Sequence, residues 1–244
     1  MHNILIIIWS IFAISVKAQQ YPFEKFQAIK YKEYKNWKTI LNPRDSMLMA
    51  REIIIPEFEN KNMSLKIEQE LKLSISDSTE YSELSIYEND RKIKEFKVDT
   101  RSISEPLPFL IADINGDGLN DLKIIFPNYG CGAFNYYCQV VFLFQDRRKK
   151  FNEKIYTDIF EEFENKPERD FNHDGKYEII TQTFQNFGKH NYWLFNIYNY
   201  VNGKLINVNS IADYPIMIPL NSYTVSKKIS KMKMKEFEIK SPVK

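Results

Sequence analysis

One acidic pattern, D-x-N-x-D-G-x-x-[D/E], occurs twice in this chain, first at Asp113 and again 57 residues later at Asp170. Oxygen-bearing side chains stand at its first, third, fifth and ninth positions, and the glycine at the sixth position lets the chain turn sharply. The seventh position offers a main-chain carbonyl. A hard cation of calcium's size prefers this set of oxygen ligands. The sequence therefore predicts two Ca²⁺ sites and a fold with two similar bends.

The residues that follow each loop favour strands over helices. An EF-hand loop lies between helices and ends on a bidentate glutamate at its twelfth position, and dockerin-type loops also keep an acid there. In this chain those positions hold Ile124 and Thr181, and strand-like apolar residues surround them. We therefore expect each loop to join β-strands and to take its last ligands from water or from elsewhere in the chain.

Apolar and polar residues alternate over much of the chain, which is the pattern of half-buried strands. Clear examples are Leu65–Ile75, Leu84–Tyr87 and Ile93–Val98, with a turn predicted at Glu88–Arg91. A longer aromatic strand, Tyr192–Tyr200, carries large rings on both faces. That distribution favours a buried central strand over a sugar-binding platform.

A loop, a strand and a hairpin recur together as a unit. The two units span about residues 108–151 and 167–208, within a β-repeat domain predicted over residues 61–226. A short helix is predicted between them near Asp158–Glu164, with Pro167 ending it. Because the spacing between loop and hairpin differs little between the units, the chain contains an internal repeat.

The first loop also carries a family resemblance. Residues Ala112–Leu122 resemble the D-x-N-G-D-G-x-x-D-L core of FG-GAP and VCBS repeats, the calcium-loop units of integrin α-subunit propellers and of many exported bacterial proteins. The second loop is similar, with Glu178 in place of the last aspartate. This resemblance covers roughly residues 108–208. It implies two Ca²⁺ ions, each held by four side chains and one carbonyl: Asp113, Asn115, Asp117 and Asp121 with the carbonyl of Leu119, and Asp170, Asn172, Asp174 and Glu178 with the carbonyl of Lys176.

Two visible units limit the architecture that the resemblance implies. A closed propeller needs about four blades or more. The predicted fold class is therefore mainly β: a small degenerate β-propeller-like arrangement, or an open repeated β-sheet assembly, with few short helices.

The N-terminal residues predict export. Residues 1–18 resemble a secretory signal peptide, with an apolar run over Ile4–Val16 and small residues before a cut at Gln19. That run is shorter than the roughly 20 residues that span a bilayer. We expect a secreted or periplasmic protein without a membrane span.

The two cysteines, Cys131 and Cys138, lie close together in the sequence. In an exported chain this spacing favours one disulfide between them. A redox pair or zinc ligation is the weaker interpretation, because the spacing is not C-x-x-C and no second Cys/His pair completes a tetrahedral site.

The two ends of the mature chain are less regular. Residues 19–60 are compatible with helix or with strand. Residues 227–244 carry seven lysines against two glutamates, and the lysines mostly alternate with Met232, Met234 and apolar neighbours. A basic C-terminal strand or tail is predicted, and its lysines fit an edge-strand face better than a nucleic-acid site.

No catalytic motif stands out in the sequence. His173 and His190 are expected on the surface, and the acids of the Asp158–Glu164 run suit a solvated helix face better than a glycosidase pair. The leading hypothesis is a secreted, calcium-binding, non-enzymatic β-repeat module that binds a protein or a glycan and no nucleic acid. Two alternatives stay open. One is a periplasmic inhibitor of a lysozyme-like cell-wall hydrolase, because the strand ending at Lys92–Val98 resembles exported bacterial proteins that block such enzymes. The other is a secreted hydrolase with structural calcium.

Overall fold

The computed structural model describes residues 20–41, 48–56, 58, 65–72, 81–99, 108–128, 137–159 and 166–243. The predicted signal peptide and Cys131 lie outside these residues. Sixteen strands are described: β1 Gln27–Ala28, β2 Lys32–Tyr34, β3 Lys38–Leu41, β4 Leu48–Ile55, β5 Leu65–Lys72, β6 Tyr81–Glu88, β7 Arg91–Asp99, β8 Phe109–Ala112, β9 Asp121–Asn128, β10 Tyr137–Gln145, β11 Phe151–Ile159, β12 Arg169–Asp170, β13 Ile179–Phe187, β14 His190–Val201, β15 Lys204–Asn207 and β16 Ile216–Pro219.

Three antiparallel sheets contain most of these strands. The first has the order β3-β4-β5-β6-β7, the second β11-β10-β9-β8-β2, and the third β13-β14-β15 with β16 also paired to β14. Strands that follow one another in the chain are mostly neighbours in a sheet, as short hairpin connections require. The mainly β prediction is confirmed, and none of the described sheets closes into a barrel.

The sheets pack face to face in chain order. One core cluster joins the first sheet to the second, and includes Ile86 and Leu143. Another joins the second sheet to the third, and includes Phe142 and Tyr198. Because β10 is covered on both faces, its run of apolar residues is nearly continuous instead of alternating.

The aromatic strand is central, as predicted. Residues 192–198 of β14 are all buried. The strand pairs with β13 along one edge and with β15 and β16 along the other.

The N-terminal segment contributes one strand to the first sheet, one to the second, and one that pairs with β12 just before the third. Strand β1 pairs with β12, β2 pairs with β8, and β3 pairs with β4. Residues 20–41 therefore run along the whole stack of sheets, and the choice between helix and strand is resolved in favour of strands.

One local prediction is wrong, and another falls mostly outside the described residues. The C-terminal residues form a short helix, α1 Lys231–Lys235, instead of a strand, and the side chain of Ser230 accepts the backbone N–H of Lys233 at its start. Residues two apart point to different sides of a helix, so Met234 is buried whereas Met232 is 80% exposed. The helix predicted from Asp158 does not begin there, because Asp158 pairs with Cys138 at the end of β11; residues 160–165 lie outside the described chain.

The described residues contain no helix that is long and apolar enough to cross a membrane.

Candidate functional site

Both acidic loops lie where one strand ends and another begins, as the sequence predicts. The first connects β8 to β9, and the second connects β12 to β13. Strand β8 is apolar and largely buried, whereas β12 has only two residues and pairs with β1 of the N-terminal segment. The two loops are therefore entered from unlike strands but leave into similar ones.

The first loop is organised by its own side-chain oxygens. Asp113 accepts the backbone N–H groups of Asp117 at 3.1 Å and of Gly118 at 2.8 Å. Asn115 Oδ1 accepts the same Asp117 N–H at 3.0 Å, and Asp117 Oδ1 accepts the N–H of Leu119 at 2.9 Å. The oxygens of the first, third and fifth positions thus gather on the inside of one turn.

The second loop repeats this pattern bond for bond. Asp170 accepts the N–H groups of Asp174 and Gly175, both at 3.1 Å. Asn172 Oδ1 accepts the Asp174 N–H at 3.2 Å, and Asp174 Oδ1 accepts the N–H of Lys176 at 2.8 Å. The sequence repeat is therefore also a repeat of backbone geometry.

The ninth-position acid of the first loop turns toward the sheet. Asp121 is fully buried, and its carboxylate accepts the N–H groups of Ile114 and Gln145, each at 3.0 Å. Burial raises the pKa of Asp121 to about 7, and those two N–H groups lower it in part. Each oxygen of the Asp121 carboxylate therefore already accepts a backbone N–H of the protein.

The ninth-position acid of the second loop, Glu178, accepts fewer hydrogen bonds than Asp121. Glu178 is fully buried, and its Oε2 accepts the N–H of Phe171 at 2.9 Å. Its Oε1 is buried and forms no hydrogen bond of normal geometry with any described residue, although the Asn199 side chain lies close to the carboxylate. Burial raises the pKa of Glu178, which the Phe171 N–H and the nearby Asn199 side chain partly offset. A buried carboxylate oxygen without a partner is costly.

The carboxylates of each loop do not all converge. Among the described residues, no group of three or more His, Cys, Asp and Glu side chains is placed to hold a metal ion. The aspartates at the first and fifth positions of each loop lie together. The acids at the ninth position, Asp121 and Glu178, instead accept the backbone N–H of the residue at the second position, Ile114 or Phe171. Leu119 and Lys176 lie at the bends, where each donates its N–H to the fifth-position aspartate.

The two loops contact each other, which the sequence could not show. The N–H of Tyr177 donates to the carbonyl of Ile114 at 3.0 Å. Gly116 has a φ of +71°, and a Cβ on it would lie 2.7 Å from Lys176 Cγ. The loops border one cleft of about 600 Å³ that Asn115, Asp117, Asp174 and Lys176 help to line.

No sequence motif predicted the buried ion pair that lies beside the loops. Lys123 and Glu168 are each 1% exposed, and Lys123 Nζ donates to Glu168 Oε1 at 2.5 Å. The Tyr31 hydroxyl donates to the other oxygen of Glu168. A lysine between Leu122 and Ile124 in an apolar strand is the sequence signal, because a buried lysine needs an acidic partner.

The remaining candidate residues take simple positions. His173 and His190 are exposed, as predicted. Cys138 is buried and forms no disulfide with a described residue, and burial raises the pKa of its thiol to about 12. Since its expected partner Cys131 lies outside the described residues, the disulfide stays a prediction.

Comparison of this chain with models of protein families, with curated proteins and with solved structures finds no match in any of the three. The likeness to FG-GAP and VCBS repeats therefore rests on the two loops alone.

Proposed function

We propose that each acidic loop binds one Ca²⁺ ion, and that the two ions stabilise a secreted or periplasmic, non-enzymatic module that binds a protein or a glycan. The observation that carries the calcium proposal is Glu178 Oε1, a fully buried carboxylate oxygen at the end of the second loop that forms no hydrogen bond of normal geometry with a described residue. A cation in that loop would supply the missing partner.

Charge repulsion points in the same direction. Each loop places three carboxylates within nine residues, and like charges at that spacing repel, most strongly at the buried ninth-position acid. Asp117 raises the pKa of Asp121, and Asp174 and Asp170 raise that of Glu178, although burial is the larger cause for both acids. A divalent ion would offset this repulsion.

The donors present suit calcium. In the first loop the ion would be held by Asp113, Asn115, Asp117 and the carbonyl of Leu119. Asp121 would stabilise the turn by accepting the N–H groups of Ile114 and Gln145. In the second, Asp170, Asn172, Asp174 and the carbonyl of Lys176 would be joined by Glu178. These are carboxylate, amide and carbonyl oxygens, which calcium prefers over nitrogen or sulfur ligands. When bound, the ion supplies charge neutralisation and fixes the turn.

The finer architecture follows from the same repeat. Each loop leads into a meander of antiparallel strands, and the meanders stack face to face. We infer a small, degenerate propeller-like assembly, in which the N-terminal strands β1, β2 and β3 connect successive sheets. Calcium at the bends would hold adjacent sheets together, because the two loops contact each other.

A binding role agrees with this structural use of calcium. Extracellular modules commonly bind calcium at about 10⁻⁴ to 10⁻³ M, which matches concentrations outside the cell. The cleft between the loops and the neighbouring hairpin turns is a formed concave surface, of the size that ligand sites usually have. The module would present such surfaces on a scaffold that the ions hold rigid.

Calorimetric titration and thermal unfolding of the mature chain test the calcium proposal. We expect two sites for Ca²⁺, little heat with Mg²⁺, and a melting temperature that rises with Ca²⁺ and falls with EGTA. Tenfold saturation of each site corresponds to about 1.4 kcal/mol. Asp117→Asn and Asp174→Asn should each remove one site, because the amide keeps the turn's hydrogen bond but loses the charge.

Asp146→Asn is the matched control. Asp146 is an exposed acid in a nearby turn, and its Oδ1 also accepts backbone N–H groups, those of Arg148 and Lys150. This variant should keep both sites. Absence of calcium heat and of any EGTA effect in the unsubstituted chain would show the proposal to be wrong. Hydrolysis of an offered glycan that survives loss of calcium would contradict the non-enzymatic role.

A further inference from the structure

A groove of about 500 Å³ lies between the β6–β7 hairpin turn and the β10–β11 hairpin turn, away from the acidic loops. Its lining contains five cationic residues and one acid: Arg91, Lys92, Arg148, Lys149, Lys150 and Glu88. The two turns come from different sheets and lie far apart in the sequence, so no charge run in the chain predicts their combination.

The positive charges of the groove are only partly neutralised. Arg91 lies 3.4 Å from Glu88, and Lys92 lies 2.5 Å from Glu95 on its own strand. Arg148 and Lys150 form no ion pair with any described residue. Both are exposed. Asp146, the acid at the start of their turn, is engaged by their backbone N–H groups. These N–H groups are neutral, so Asp146 keeps its charge, but the five cations still outnumber the three acids Glu88, Glu95 and Asp146.

The two turns are held in place relative to each other. Asp146 accepts N–H groups of the β10–β11 turn through both its side chain and its carbonyl. Below the groove, Lys94 of β7 forms an ion pair with Glu153 of β11 across the two sheets. Because the scaffold is fixed, a ligand that bridges the turns would lose little affinity to ordering the protein.

We propose that this groove binds a glycan chain that carries several sulfate or phosphate groups. Arginine and lysine side chains from two sides suit multiple oxyanions, since guanidinium groups pair with such oxyanions in bidentate fashion and ammonium groups act as point charges. The groove is larger than one such group. This inference rests on the proposed binding role and names its ligand class.

A nucleic acid is the less suitable polyanion. Single-stranded nucleic acids gain much of their affinity by stacking bases on exposed aromatic rings. The aromatic residue among the described groove lining is Phe151, which is 6% exposed and belongs to the core. The groove thus offers charge without a stacking surface.

Titration of the mature chain with a sulfated hexasaccharide tests the proposal. Binding should be measurable at about 50 mM NaCl and weaken strongly at about 300 mM, because exposed charges are screened. Arg148→Gln/Lys150→Gln should weaken binding about tenfold or more. The control Lys235→Gln/Lys240→Gln removes the same charge from the C-terminal segment and should bind as the unsubstituted chain does. Both positions in each pair are exposed, so folding should be unaffected.

The outcomes separate this proposal from the calcium proposal. Absence of binding, or equal weakening by both double variants, overturns the groove even when the calcium-dependent melting shift is intact. Tighter binding of single-stranded DNA of equal charge overturns the assignment to a glycan. Binding that depends on Arg148 and Lys150 in a chain without any calcium response supports the groove and overturns the calcium sites.

Discussion

The N–H of Tyr177 donates to the carbonyl of Ile114 at 3.0 Å, which ties the second acidic loop to the first. These residues lie on either side of the boundary between the second and third sheets. We therefore expect a change in one loop to affect the other through this backbone contact. The sites should behave as a pair, and damage to their contact should affect both.

Gly116→Ala tests the contact between the loops. The new Cβ would lie 2.7 Å from Lys176 Cγ at a φ of +71°, so the Lys176 side chain must change rotamer, the two loops must separate or the turn must distort. Gly188→Ala is the matched control, because Gly188 also has positive φ, +58°, and no atom lies within 4 Å of its built Cβ. Both variants should lose about 1 kcal/mol of unfolding free energy from backbone strain.

The two glycine variants should differ in calcium binding. We expect Gly116→Ala to be the less stable in urea denaturation and to weaken both calcium sites in calorimetry, whereas Gly188→Ala keeps both. Equal stabilities and equal calcium affinities would show that the loop contact carries no energy.

Replacing only one member of the buried Lys123–Glu168 pair should lower the free energy of unfolding strongly. Lys123→Met leaves a buried carboxylate with only the Tyr31 hydroxyl as partner, and loss of one member of a buried pair costs about 3 to 5 kcal/mol. The double variant Lys123→Met/Glu168→Gln removes the charge as well and should be more stable than Lys123→Met alone. Urea denaturation of the unsubstituted chain, of the single variants Lys123→Met and Glu168→Gln, and of the double variant measures this. Simple additivity of the two losses would contradict the interpretation.

Local sequence signals located the strands and the loops well, because each has its own short pattern. Period-two alternation marked β6 and β7 and the turn between them, where Asn89 and Asp90 both take positive φ. The D-x-N-x-D-G pattern marked two turns that form the same hydrogen bonds. These features depend on residues within about ten positions of one another.

The rest depends on contacts between distant residues. Strands β1 and β2 have two and three residues, too few to show a period, and β2 is entirely Lys-Glu-Tyr. They are strands because β12 and β8 offer free edges. The contact of Tyr177 with Ile114, and the presence of Arg91 and Arg148 in one groove, likewise arise only when the sheets stack. The error at Met234 had a local cause, since lysines that alternate with apolar residues fit a strand and a short capped helix alike.

The contribution of Asp158 to the free energy of unfolding should decrease as pH rises, which is opposite to the usual behaviour of a carboxylate with a lowered pKa. Its Oδ1 accepts the N–H groups of Gln182 at 2.7 Å and of Ile159 at 2.8 Å, which joins the second sheet to the third. Burial raises the pKa of Asp158, although Lys166 and the N–H groups partly oppose this. The folded protein therefore keeps this proton to a higher pH than the unfolded chain does.

The sign follows from proton linkage. The contribution of Asp158 is fully present below about pH 4, the ordinary value for aspartate, and is lost as pH rises through the folded-state pKa. The unfolding free energy of the unsubstituted chain minus that of Asp158→Asn should fall from about pH 4 toward neutrality. Asp213→Asn is the control of opposite sign, because its hydrogen bond from Lys231 lowers the pKa of Asp213. A difference that rises with pH for Asp158 would contradict the effect of burial.

The Cys138 thiol should resist modification while the protein is folded. The residue is 1% exposed, and burial raises the pKa of its thiol to about 12, so almost none is present as the reactive thiolate at neutral pH. Cys131→Ser leaves Cys138 as the one thiol of the chain. We expect iodoacetamide to label this variant slowly in buffer and rapidly in urea, by intact mass.

The unsubstituted chain tests the predicted disulfide in the same experiment. After secretion and without reductant, a bond between Cys131 and Cys138 would lower the intact mass by two hydrogens and prevent labelling even in urea. Labelling at both cysteines in urea would show the disulfide prediction to be wrong. Rapid labelling of folded Cys131→Ser would show instead that the start of β10 opens to solvent, because a thiol must be exposed and ionised to react.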